Sequence, residues 1–433
     1  MQSLIRFIQE RRSDTATRIL FFLAALQAFL GPLDLADAST RMVVGLDKTV
    51  ACKLVLAGLM AVASVWGLWN FSEVRNAIMT IPGTLVMLLL GMTLVGGTSG
   101  LTGAALPTSL INISTFIFVI TILTVAGPRI FSLAIVLGSL GTAGLGLYLF
   151  YFVPESGVFL EPIEGGQFLG RLGGAAHPNS VARSSIMAIL LTVYLSRTKE
   201  FSVPVTLTLI FVLGWAFVLA KSRTAFIAGG LGLLLLYSDR LRSRRAIGTF
   251  VMLTVLGLAS VFALFAVGKE QRLVEKVVGL VAKSGSLQEL TTATGRTDIW
   301  AEASKFVAQR PLTGWGLNSG PALLPNHSQA THNAVMNASL SGGIFAGLAM
   351  LCLQLWLIWT AFQSPHLLVR GVAIFLFFSC LTEDTVMETF PGPCTMMWYM
   401  CLIYPVLSYS PINSFSRRSF SSLPTPKMVV AGE

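Results

Sequence analysis

The chain has 433 residues, of which 54% are hydrophobic and only 12% charged, with a net charge of +10 and a mean hydropathy of +0.74. Counting Gly in place of Tyr brings the apolar share to about 62%, whereas soluble domains hold about 45–50% and twice the charge. These figures exclude a soluble enzyme, a nucleic-acid-binding domain and a disordered scaffold, and they make the bilayer the chain's main solvent. The positive balance then reads as Lys and Arg gathered in cytoplasmic loops and beside anionic headgroups. The five cysteines are odd in number and scattered, mostly in apolar runs, so they form neither a disulfide framework nor a metal site.

Apolar runs long enough to cross about 30 Å of hydrocarbon recur along almost the whole sequence. They predict about twelve spans, centred near residues 26, 60, 90, 117, 140, 189, 210, 230, 257, 346, 375 and 402. The expected fold is therefore all-α: one polytopic membrane domain over 1–433, with no soluble domain attached. The first run follows Arg11, Arg12 and Arg18 and precedes Ala36-Asp37-Ala38, which imitates a cleavable signal, but an uncleaved first span is the better reading.

Arginines and lysines in short loops set the orientation. With the N-terminus inside, the cytoplasm receives Arg6, Arg11, Arg12 and Arg18, then Arg75, Arg129, Arg197 with Lys199, Arg240 to Arg245, Arg370, and a tail at 411–433 with Arg417, Arg418 and Lys427. Both termini are then cytoplasmic, and two external loops stand out, 154–180 and 269–331.

Several cations break this rule. Arg171, Arg183, Lys221, Arg223 and Arg296 fall on the external side or just inside the outer ends of spans. A charge there costs about 2.5–3.5 kcal/mol near a helix centre and less toward the interface, so it needs a partner. One reading is that each snorkels to headgroups or pairs with Asp298 or Glu302. The other is an anionic ligand: a guanidinium fork suits phosphate oxygens, and Lys221 and Ser222 add donors beside Arg223. His177, in AAHPNS, lies between Arg171 and Arg183, with Asn179 or Ser180 placed to cap the span that follows.

The larger loop carries the densest polar chemistry. Leu273, Val277, Val278 and Val281 recur at helical spacing and predict an amphipathic helix over 269–290. A second helix is expected from Thr294-Gly295-Arg296 to Pro311, with Thr294 as cap and Arg296 in a first turn that favours anions. The turn-rich PLTGWG follows, and then His332-Asn333 opens the next span. A neutral His332 would take a proton from a hydroxyl, whereas an imidazolium would neutralise a phosphate. His327 is five residues away, a poor spacing for zinc, and His366 belongs to the cytoplasmic side. Glu383, Asp384 and Glu388 form an acidic external loop better suited to pairing with the arginines than to holding a cation. No Walker loop, Rossmann fingerprint or nucleophile elbow is present.

In order, GRLGGAAHPNSVAR (170–183), KSRTAFIAGGLGLLLL (221–236), TGRTDIWAEASKFVAQRPLTGWGLNS (294–319) and HNAVMNASLSGGIFAGLAML (332–351) resemble the O-antigen ligase and polysaccharide polymerase superfamily. The GRTDIW and PLTGWG wording is more similar to exopolysaccharide polymerases. The resemblance implies a multi-pass protein of the bacterial inner membrane with a periplasmic active site. It implies a glycan donor on undecaprenyl pyrophosphate, a glycan acceptor, no cofactor and no metal, and other polysaccharide export and chain-length proteins as partners. It matches Arg171, Arg223 and Arg296 to basic positions that hold the pyrophosphate, and His332 to the residue that activates the acceptor. Arg183, Lys221, Ser222, Asn333 and His177 complete the expected substrate-binding set. In the ligase pattern His332, Asn333 and Gly343 fit, while Ala346 departs from the Asn, Thr or Tyr expected there. The leading expectation is a polymerase of lipid-linked repeat units by metal-independent inverting transfer. The alternatives are a ligase to lipid A core or protein and, from another class, a flippase. Flippases commonly show inverted repeats, and the two halves of this sequence share none.

Overall fold

The computed structural model describes residues 15–34, 48–98, 103–162, 168–241, 296–325 and 330–409. Its long helices are α1 (Thr15–Leu30), α2 (Lys48–Asn70), α3 (Ile81–Thr98), α4 (Ala105–Val125), α5 (Gly127–Phe152), α6 (Pro178–Arg197), α7 (Val203–Ala220), α8 (Arg223–Leu236), α9 (Arg296–Gln309), α10 (Ala334–Gln363), α11 (Leu367–Thr382) and α12 (Pro393–Tyr409). Eleven of the expected span centres fall inside these helices, and the one near 257 lies outside the described residues, as do the helix expected over 269–290 and the Thr294 cap.

Among the described residues, six helices, α2, α3, α4, α5, α7 and α10, are long and apolar enough to cross a membrane, and α1, α8 and α11 are shorter apolar helices. The protein is thus a polytopic α-helical membrane protein. Large apolar side chains such as Phe22, Val55, Phe211, Phe226 and Trp359 point outward, as lipid-facing surfaces require, while Phe116, Phe131, Phe375, Trp398 and Tyr399 fill the interior.

The expectation of an all-α fold needs one correction. The 154–180 loop contains an antiparallel hairpin, β1 (Val158–Pro162) and β2 (Phe168–Leu172), with Phe159 opposite Arg171. Its register puts Glu161 and Arg171 diagonally on one face, within reach of a cross-strand pair.

Hydrogen bonds between loops gather the described loops at two ends of the bundle. At one end the stretch after α1 donates Asp34 N to Ala175 O, and Gln27 Nε2 donates to Pro391 O, 2.6 Å away. The hairpin, the α7–α8 turn, the start of α10 and the α11–α12 turn lie at that same end. Arg75, Arg129, Arg197, Lys199 and Arg370 sit at the other, tied by pairs such as Arg129–Glu200 and Arg197–Asp239. Among the described residues, the cations that the orientation rule explains and those it does not are therefore at opposite ends.

Helix α10 is broken at Gly342 (φ −132°) and Gly343 (φ 75°). The break leaves carbonyls that would be costly in hydrocarbon, and the PLTGWG loop satisfies them. Trp315 N and Gly316 N donate to Leu340 O and Ser341 O at 2.9 and 2.8 Å, and Ile344 N donates to Pro311 O at 2.7 Å. Gly96 of α3 lets this loop and α10 approach closely, since a Cβ there would strike Ser341 O and Thr313 O.

Candidate functional site

The external segments read from the sequence converge on one residue of the α11–α12 turn, Glu383. This carboxylate is buried at 5% exposure yet accepts three hydrogen bonds. Its Oε1 accepts from Asn179 Nδ2 at 3.0 Å, and its Oε2 from Arg183 Nη1 at 3.3 Å and from His332 Nδ1 at 3.1 Å. Glu388 stands 3.7 Å from the other guanidinium nitrogen of Arg183. The acidic loop thus pairs with the arginines, and Asp298 and Glu302 are not the partners that Arg171 and Arg183 take.

Arg171 is held on every edge. Its Nε donates to Ala220 O at 2.9 Å, Nη1 to Glu161 at 2.7 Å and Nη2 to Asn179 Oδ1 at 2.7 Å, and the residue is 2% exposed. Committed in this way, it clasps the hairpin to the end of α7 rather than presenting a fork to a ligand. Lys221 completes the clasp: in left-handed backbone (φ 51°) its Nζ donates to Gly170 O at 2.9 Å. These contacts fix the KSR turn, where Ser222 Oγ lies 3.4 Å from Thr224 Oγ1 and partly buried Arg223 opens α8.

His177 proves to be the N-cap of α6, its Nδ1 accepting from Asn179 N at 3.3 Å, which moves the cap from the expected Asn179 or Ser180. The residue keeps an exposed surface while its ring is partly buried against Phe159. That burial, and then Arg183, lower its pKa to about 4, so it is neutral at pH 7. Asn333 also turns out to be a cap. Its Oδ1 accepts from Val335 N and Met336 N at 3.0 Å, and its Nδ2 donates to Leu381 O. Its side chain is spent on α10 rather than on a ligand.

His332, one residue earlier, has left-handed backbone (φ 51°), an uncommon state for a residue with a Cβ. Asp384 holds it there, accepting from Thr331 N, Thr331 Oγ1 and Asn333 N at 2.9, 2.8 and 3.0 Å. Burial raises the pKa of Asp384, and the Thr331 donors and His332 act against that rise. Helix α9 is tied to the same loop through Trp300, whose Nε1 donates to Thr331 O at 2.8 Å. Arg296 opens α9 one turn before Trp300; its side chain lies outside the described residues, as does His327.

Sequence reading missed Glu161, Thr331 and Trp300 and took Asn179 for a cap. It also missed Lys53 of α2, an 8%-exposed lysine whose Nζ donates to Leu33 O and sits 5.0 Å from the Phe390 ring. A lysine inside an apolar run was the available signal, because such a charge demands a partner.

The sequence pattern of the O-antigen ligase family matches residues 207–351, which hold the KSR turn, α9, PLTGWG and the His332 segment. A relative named General O-oligosaccharyltransferase, from Acinetobacter baylyi, is 27% identical over 201 residues, covering 42% of this chain and 34% of that protein. The chain thus spans about a third of the length of that relative. These matches support the resemblance of the chain to the O-antigen ligase and polysaccharide polymerase superfamily.

Proposed function

We propose that the protein transfers glycan from a polyprenyl-diphosphate donor to a sugar hydroxyl, extending lipid-linked repeat units at the periplasmic face of a bacterial inner membrane. One observation carries the reading: Glu383 gathers His332, Arg183 and, through Asn179, Arg171 at the bundle end opposite the short-loop arginines. The orientation rule puts those short-loop arginines in the cytoplasm, so the site faces outward.

The chemistry follows from the pair of His332 and Glu383. A carboxylate that accepts from Nδ1–H selects the imidazole tautomer whose lone pair is on Nε2, the form able to take a proton from an acceptor hydroxyl. As that proton leaves, the hydroxyl oxygen bonds to the donor's C1. The bond from C1 to the diphosphate oxygen breaks, and the polyprenyl diphosphate departs with the electron pair. A single displacement inverts the anomeric centre. Arg223 and Arg296 would stabilise the charge that grows on the leaving group, commonly the largest catalytic contribution. Arg171 and Lys221 keep the Arg223 turn in place. No nucleotide is consumed, because the polyprenyl diphosphate is itself the leaving group.

A second reading, transfer of finished glycan to a lipid A core or a protein, is favoured by the family description and by the name of the Acinetobacter relative. A deletion separates the two: loss of chain extension supports the polymerase, and accumulation of full-length lipid-linked chains supports the ligase. Arg223→Ala, Arg296→Ala and His332→Ala, each confirmed at normal membrane level, should leave polymer short or absent. Undiminished polymer in all three would contradict the assigned roles.

A further inference from the structure

We infer that Asn179 is a positioning residue for the His332–Glu383 pair, a role that rests on the function proposed above. Its place is set locally: Pro178 begins α6, His177 caps it, and Asn179 is the second helical residue. The orientation of its amide is dictated by its neighbours. A guanidinium can only donate and a carboxylate can only accept, so Oδ1 faces Arg171 at 2.7 Å and Nδ2 faces Glu383 at 3.0 Å.

The carboxylate of Glu383 has two oxygens, and Asn179, Arg183 and His332 are all among its partners. Left alone with Arg183 it would favour the two-pronged pair that guanidinium and carboxylate form most readily. Asn179 occupies Oε1 and so obliges Oε2 to serve Arg183 and His332 together, at 3.3 and 3.1 Å. Without the amide, the carboxylate turns toward Arg183, and the imidazole loses the partner that fixes its tautomer. The same amide joins the hairpin to the α11–α12 turn, two segments more than 200 residues apart in sequence.

Aspartate separates positioning from space filling. Asn179→Asp keeps the volume and the acceptor for Arg171, but it removes the donated N–H and sets a second carboxylate against Glu383. The test uses full-length protein reconstituted with polyprenyl-diphosphate-linked repeat units, measuring kcat and the donor KM. Asn179→Asp should lower kcat at least tenfold with donor KM within twofold of wild type, and Asn179→Ala should lower kcat less, again at unchanged KM. Wild-type kcat in Asn179→Asp, or a loss confined to KM, would overturn the inference. Should the Asp variant fail to accumulate, Asn179→Ala decides, and unchanged kcat there overturns it. A wild-type protein that transfers nothing overturns the proposed function itself. A fully active Asn179→Asp beside an inactive His332→Ala overturns the role of Asn179 alone.

Discussion

Glu383 accepts from three side chains while almost fully buried, which makes its two possible losses different in kind. Removing the carboxylate leaves Arg183 to Glu388 at 3.7 Å and takes from His332 its charged partner. Breaking one partner of a buried pair costs about 3–5 kcal/mol. Glu383→Ala is therefore expected to lower the melting temperature in detergent markedly. Glu383→Gln keeps the shape and one acceptor, so it should fold closer to wild type and yet lose transfer, since an amide holds His332 less firmly than a carboxylate. Equal activity of Glu383→Gln and wild type would remove the carboxylate from the account. Arg171 and Arg183 were legible in the sequence because each lies on the side its charge should avoid, and His332 because it opens a span beside Asn333 and matches a histidine of the family that the chain resembles. Of their partners, Glu383 and Glu388 were legible as an acidic loop suited to pairing with the arginines. Glu161 and the bridging role of Asn179 were not, because both are ordinary polar residues until folding brings them within hydrogen-bond distance.

Helices were the easiest elements to read, because a run of about 20 apolar residues has few other structures open to it in a bilayer. The centres of α1 to α8 and α10 to α12 follow from hydropathy, and α9 from its start near Thr294-Gly295-Arg296 and its stop at Pro311. The hairpin was not seen, since five-residue strands leave little periodicity and VFLEP reads equally as loop. The break in α10 was also hidden: Gly342-Gly343 within an apolar run looks like a site of close packing, and only the distant PLTGWG loop shows what the break is for. Gly343 is constrained twice, by φ 75° and by Pro311 O, which a Cβ would approach to 2.5 Å. Gly343→Ala should destabilise the protein by about 1–3 kcal/mol from backbone strain alone. It should also loosen PLTGWG from α10, read as faster protease cleavage between α9 and α10. A variant as stable and protease-resistant as wild type would refute the docking of that loop. Ala346, which departs from the ligase pattern, is fully buried one turn beyond the break and meets Gly342.

At the scale of the whole molecule, the charge balance divides along the membrane normal. Among the described residues, Arg75, Arg129, Arg197, Lys199 and Arg370 lie at one end; Arg171, Arg183, Lys221, Arg223 and His332 lie at the other, in a network that runs from the KSR turn through Asn179 and Glu383 to α9. On the proposed reading, this polarity is what a one-sided enzyme needs. With the donor proposed above, fixed cations would offset the charge of the departing diphosphate, so transfer should not depend on a divalent metal. The most direct test is reconstitution of purified protein with polyprenyl-diphosphate-linked repeat units in the presence of EDTA, following glycan length and release of polyprenyl diphosphate. The account predicts longer glycan and stoichiometric release from wild type, and neither from His332→Ala. Translocation of intact donor without product, or equal product from His332→Ala, would contradict it.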